Sequence, residues 1–204
     1  MLCIDKTEFN SYTRIPRLNL INSCMGYKSA NLIGTLSGEG RPNLAIFSSV
    51  THLGSDPALL GFILRPTTVP RHTYSNIKET GFFTVNAITC DLYSRAHQTS
   101  ANYPQEVNEF DAARIEPVYK DGIDVPFVNE SPVQLLCKYV NEYPIAENGT
   151  IHVIASIERI YVLDALLSED KWIQLDKGDI VAINGLDGYA RTNPADRLPY
   201  ARPV

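Results

Sequence analysis

A chain of 204 residues, 44% hydrophobic and 20% charged, can bury a full core unaided, because a domain of this size hides roughly 70% of its unfolded surface. Its net charge of −5, from 23 acidic against 18 basic residues with no run of four basic ones, excludes the concentrated basic surface of a nucleic-acid binder. No window approaches the ~18 apolar residues of a membrane span, and Met1 to Arg14 lack the apolar stretch of a signal peptide, so a cytoplasmic setting without membrane attachment is expected.

The elements are mostly short β-type runs punctuated by turn residues. Leu32–Leu36 and Asn43–Val50 flank the Gly-rich stretch Ser37-Gly38-Glu39-Gly40-Arg41-Pro42 and predict a hairpin. Asp56-Pro57 interrupts the chain before a strand over Ala58–Leu64. Thr73–Thr80 predicts a short helix with Thr73 as hydroxyl N-cap and Gly81 beyond its end. A strand over Gly81–Ile88 follows, rich in aromatic and β-branched residues. Asp91–Gln98, opened by an Asp cap, and Glu109–Ala113 predict two further short helices.

Val133–Val140, Thr150–Leu163 and Ile180–Ile183 complete the strands. Ile151, Val153, Ala155 and Ile157 share one face of the second before the alternation blurs. Gly188 to Pro203 is rich in Pro and Arg and reads as an extended arm. Strands dominate, and helices are inserted between them rather than alternating one for one. The expected class is therefore all-β with a few helices, a barrel rather than a parallel sheet. The expected organisation is a single domain over 1–204, its core over about 30–190, with N- and C-terminal arms.

The chain has no GxGxxG, P-loop, GxSxG or HExxH motif. Cys3, Cys24, Cys90 and Cys137 are widely spaced and offer no metal-binding pattern, which fits a reduced compartment; Cys137 reads as a small core residue. The sequons at Asn129 and Asn148 are then chance matches. His52, His72, His97 and His152 lie in separate segments, and His152, inside a strand pattern, reads as structural. What remains is a series of polar groups at strand and helix ends: Ser48 and Ser49, Arg65, Thr73 with Asn76, and Asn86 within an apolar strand. A phosphorylated ligand needs such hydroxyls, amides, a cation and helix N-terminal N–H groups in one place, although each residue singly also suits a turn or cap.

Four segments carry a resemblance. Asn43-Leu44-Ala45-Ile46-Phe47-Ser48-Ser49-Val50 resembles the strand that lies against the flavin in flavin reductase-like, FMN-binding split barrels. Arg71-His72-Thr73-Tyr74-Ser75-Asn76-Ile77 with Gly81-Phe82-Phe83-Thr84-Val85-Asn86 resembles that family's K-D-T-x-x-N-I … F-x-V-N signature. Glu130-Ser131-Pro132-Val133-Gln134-Leu135-Leu136-Cys137 is similar to its E-S-P-x-x-x-E-C segment, and Ile151–Val162 to the strand pair that follows. The chain departs from the pattern at Arg71-His72 in place of Lys-Asp, at Asp56-Pro57-Ala58 in place of Pro-Pro, and at Leu136 in place of an acid. These departures bear on substrate and partner preference.

The resemblance implies a split β-barrel of Greek-key type that holds FMN in a groove at a homodimer interface. Carried over by position, Asn43, Ala45, Ile46 and Phe47 flank the isoalloxazine, while Ser48 and Ser49 approach the ribityl chain and phosphate. Thr73 and Asn76 bind phosphate, Arg65 or Arg71 supplies the opposing charge, and Asn86 braces the site. It also implies NADH or NADPH as co-substrate and an electron-acceptor protein or monooxygenase as partner; His97, after the Asp91 helix, reads either as a plain surface histidine or as a residue lining the exposed flavin face. A flavoredoxin-like electron carrier and a non-redox module for another phosphorylated ligand are the alternatives.

Overall fold

The computed structural model describes residues 1–203. Helices α1 (Lys6–Ser11) and α2 (Arg14–Ser23) come first, followed by strands β1 (Lys28–Ser29), β2 (Asn31–Leu36), β3 (Pro42–Phe47), β4 (Thr51–Ser55) and β5 (Ala58–Leu64). Helix α3 (His72–Thr80) leads to β6 (Phe82–Ala87), and α4 (Tyr93–Gln98) and α5 (Glu109–Ala112) to β7 (Pro117–Val118) and β8 (Phe127–Val128). The long pair β9 (Val133–Ile145) and β10 (Thr150–Val162) precedes β11 (Val181–Asn184) and β12 (Gly188–Arg191).

Seven strands form one antiparallel sheet in the order β3-β2-β6-β9-β10-β5-β4. The β9–β10 hairpin is inserted between β6 and β5, a Greek-key arrangement. β3 and β4 are consecutive in the chain yet occupy opposite edges of the sheet. Laid flat at ~4.8 Å per strand, those edges would stand about 29 Å apart. The connector Ser48–Val50 spans at most about 14 Å, so the sheet must curl into a barrel. Ser49 clasps the seam: its hydroxyl donates to Ile63 O at 3.2 Å and accepts from Ile63 N at 3.0 Å. The expected all-β split barrel is what the chain forms.

Alternation along the strands sends side chains to two cores. Inside the barrel, Ile33, Phe62, Phe83, Val85, Cys137 and Val153 pack together with Ile77 of α3, which closes one end. Phe62 stacks edge-on against both Phe47 and Phe83, and burying each ring contributes about 2–3 kcal/mol. Outside it, Leu32, Leu44 and Ile88 pack with residues of α4, α5 and β11. In β10, Val153 and Ala155 are buried on the expected face. The pattern blurs where a bulge between Ile157 and Arg159 adds Glu158 opposite β9, shifting the phase of every later side chain. His152 is structural here: it occupies the space that Gly61 leaves, where a Cβ would lie 2.4 Å from its Nε2.

The fold departs from the sequence reading in several places, among them β12, which forms at the start of the expected C-terminal arm. β4 has no buried side chain, so it lacks the alternation that marks a half-buried strand. α1 and α2 form in the N-terminal arm although neither buries a residue; the signal was Asp5-x-x-Glu8, where Asp5 caps the Glu8 N–H at 2.9 Å. α4 starts at Tyr93 after Leu92, without the expected Asp91 cap.

Candidate functional site

The site begins at the free edge of β3. The turn bond Ser37 N to Arg41 O, 2.9 Å, sets the phase of the β2–β3 ladder. Alternation then points the amides of Asn43, Ala45 and Phe47 into β2 and those of Leu44 and Ile46 outward. The Leu44 N–H donates to Glu109 Oε2 of α5 at 3.2 Å. The carbonyl of Leu44 and both backbone groups of Ile46 have no partner among the described residues.

Beside this edge stands the N-terminus of α3. Its N-cap is Arg71, whose side chain makes no capping bond, and the first intrahelical bond is Ser75 N to Arg71 O at 3.0 Å. The N–H groups of His72, Thr73 and Tyr74 are thus without intrahelical partners, and the helix dipole favours an anion there. Thr73 is not the N-cap expected of it. It lies one residue inside the helix, buried against β3, because its hydroxyl accepts from Asn43 Nδ2 at 3.0 Å. One turn on, Asn76 Nδ2 donates to Thr35 Oγ1 at 3.0 Å. These two bonds fix α3 to the β2–β3 hairpin. Arg71 is oriented by its Nε–H bond to Pro66 O at 3.2 Å, while Arg65 is exposed just beyond β5.

The remaining sequence candidates divide. Ala45 and Ile46 are half-buried on β3, and Phe47 leans into the barrel against Phe62 at 5.2 Å. Ser48 is half-buried at the seam, whereas the Ser49 hydroxyl is committed to Ile63. Asn86 is fully buried, donating to Leu32 O and Thr84 Oγ1 and accepting from Val128 N. It braces three strands. His97 Nδ1 lies 3.0 Å from the Tyr189 hydroxyl, whose pKa burial and Asp187 push up to about 12, so that phenol is neutral at ordinary pH.

Glu109 is the site residue that the sequence reading missed. Asn108 caps α5 through the Phe110 N–H at 3.0 Å, which seats the Glu109 carboxylate, only 7% exposed, against β3. The available signal was Asn108-Glu109, an N-cap followed by a first-turn acid. Burial raises the Glu109 carboxyl above its ordinary 4.5, opposed by its own and Leu44's N–H and by His72. The folded state therefore keeps this proton longer than the unfolded chain. Its contribution to stability is complete below the unfolded pKa and is lost as pH rises through the folded one. Glu109→Gln, which cannot titrate, should thus gain stability relative to the parent as pH rises from about 4, read as unfolding midpoints across a pH series.

The family model described as "Flavin reductase like domain" matches residues 27–175, which includes β3, α3 and α5. The chain belongs to the flavin reductase-like family. Membership places it among flavin-related oxidoreductases. A split barrel domain protein of flavin reductase type from Shewanella frigidimarina NCIMB 400 is 43% identical, with a TM-score of 0.95 over 98% of this chain and 100% of that one. Nitrilotriacetate monooxygenase component B from Bacillus cereus shares the fold at 22% identity, TM-score 0.83, over 97% and 98% of the two chains. Flavoredoxin of Desulfovibrio vulgaris (Miyazaki F) does so at 23% identity, TM-score 0.72, over 86% and 91%. Among the described residues no group of His, Cys, Asp and Glu could hold a metal ion, and no helix is long and apolar enough to cross a membrane.

Proposed function

We propose that the protein binds FMN between β3 and the α3 N-terminus and works as an NAD(P)H-dependent flavin oxidoreductase. The observation that carries this reading is the uncapped N-terminus of α3 beside an edge strand with open backbone groups. A ligand with a phosphate at one end and a planar polar ring at the other fits both features. The His72, Thr73 and Tyr74 N–H groups and the Thr73 hydroxyl would hold the phosphate, and Arg71, already aimed by Pro66, would neutralise it. Ile46 would meet the polar edge of the ring. Asn43 and Asn76 would act at one remove, by holding α3 against the hairpin.

Bound FMN supplies the two-electron chemistry that no side chain here offers. The residues of the chain would bind and orient it for hydride transfer from a nicotinamide. His97, held by Tyr189, would border that approach. Reducing equivalents would then pass to free flavin or to a partner protein such as a monooxygenase, in the cytoplasm.

A homodimer is part of this proposal. α1 and α2 bury no residue fully, α2 exposes Ile15 and Ile21, and Met25 just beyond it is exposed too; helices this short are marginal in water without a surface to pack on. The full chain should sediment at twice the mass of one chain, and a variant lacking residues 1–25 at the mass of one.

The test of the redox reading is the visible absorption spectrum of the purified protein, with FMN added if it is colourless, followed by anaerobic NADH and NADPH. Flavin bands that bleach on adding a nicotinamide support it. Bands that persist would replace the reductase with an electron carrier, and absence of flavin binding would refute both.

A further inference from the structure

The free edge of β3 is already edited by the fold. Three of its residues face outward: Pro42, which has no N–H, Leu44, whose N–H is taken by Glu109 at 3.2 Å, and Ile46, whose N–H is open. The edge therefore offers one amide donor within the strand, flanked by the Leu44 and Ile46 carbonyls. Without the carboxylate it would offer two donors a strand repeat apart, and a ring could dock in either register. We infer that Glu109 is a positioning residue: by occupying the Leu44 N–H it makes Ile46 the single docking point for the imide edge of the flavin ring. The ring carbonyl accepts from the Ile46 N–H, and the adjoining ring N–H donates to a neighbouring strand carbonyl. The inference rests on the flavin reading above and adds to it where the ring sits.

The placement of Glu109 is specific to this task. α5 is four residues long and packs on β3, and Asn108 fixes its first turn. Its burial would be costly for a carboxylate that met no N–H group, since an unpaired buried charge is strongly unfavourable. A neutral acceptor of the same shape should do the same work, because what the edge needs is an oxygen on the Leu44 N–H and not a charge.

The experiment titrates parent, Glu109→Gln and Glu109→Ala with FMN and with riboflavin, reading flavin fluorescence. Ring positioning predicts that Glu109→Ala weakens both ligands by the same factor, about tenfold, the loss expected for a misplaced hydrogen-bonded edge. Glu109→Gln should stay within about threefold of the parent for both. A loss confined to FMN would overturn the inference by assigning Glu109 to the phosphate end, and so would unchanged binding by Glu109→Ala. If Glu109→Ala does not fold, the parent alone decides with riboflavin methylated at the imide nitrogen: binding about tenfold weaker than riboflavin supports the assignment, and equal binding overturns it. A parent that binds neither flavin overturns the flavin reading itself, and this inference with it.

Discussion

Thr73→Ala is expected to weaken FMN binding by about ten- to a hundredfold, because a hydrogen bond to a charged group is worth roughly 1.5–3 kcal/mol. The hydroxyl sits one residue inside the uncapped N-terminus of α3 and accepts from Asn43 Nδ2 at 3.0 Å. Its own proton is therefore free to be given to a phosphate oxygen. Riboflavin, which lacks the phosphate, should bind the variant nearly as well as the parent. Thr73→Ser keeps the hydroxyl and should restore most of the FMN affinity, separating a lost ligand contact from a disturbed helix. Fluorescence titration of the three proteins with the two ligands measures all of this. Equal FMN affinity in parent and Thr73→Ala would remove Thr73 from the phosphate site.

Asn86→Leu is expected to cost about 3 kcal/mol of folding stability. The side chain is 0% exposed, and its amide makes three bonds that tie β6 to Leu32 of β2 and to Val128 of β8. Leucine keeps the branched shape and the number of side-chain heavy atoms, so the polar loss is joined only by the crowding of two methyl groups. The Val128 N–H is left buried without an acceptor, and Thr84 Oγ1, which donates to Pro126 O at 2.7 Å, loses the Asn86 donor. Urea unfolding should show a lower midpoint with an unchanged slope, the mark of a stability change without a new denatured state. A loss below about 1 kcal/mol would mean that water satisfies those groups. The effect on FMN should be small beside that of Thr73→Ala, since Asn86 has no group left to offer a ligand.

The two residues show how differently sequence and structure speak. Asn86 stood out in the sequence as one amide in an apolar strand, Phe82-Phe83-Thr84-Val85, and a buried amide has to be satisfied wherever it lies. Its partners were not legible, because Val128 lies 42 residues away along the chain. Thr73 stood out as a hydroxyl at a helix start, and the structure moves it inside the helix because Asn43, 30 residues earlier, claims its oxygen. A capping preference of about 1 kcal/mol is a local effect, and a tertiary hydrogen bond can outweigh it.

The same division holds for the whole molecule. Ala58–Leu64 was readable as a strand to the residue, since seven apolar residues behind Asp56-Pro57 leave little choice. The family resemblance came from short motifs in a fixed order, which is also local information. β4 was not readable, because its exposed residues carry no alternation. The barrel was expected, but not its closure, which follows from a three-residue connector joining opposite edges of one sheet. By itself the sequence determined which segments are strands, which groups are polar among apolar neighbours, and the family those motifs belong to. Only the tertiary structure decided that Glu109 closes the Leu44 amide, that Ser49 is spent on the seam, and that Ile46 remains open. The physical reason is that side-chain pattern records what a residue prefers, whereas a backbone hydrogen bond is assigned by whichever distant partner arrives.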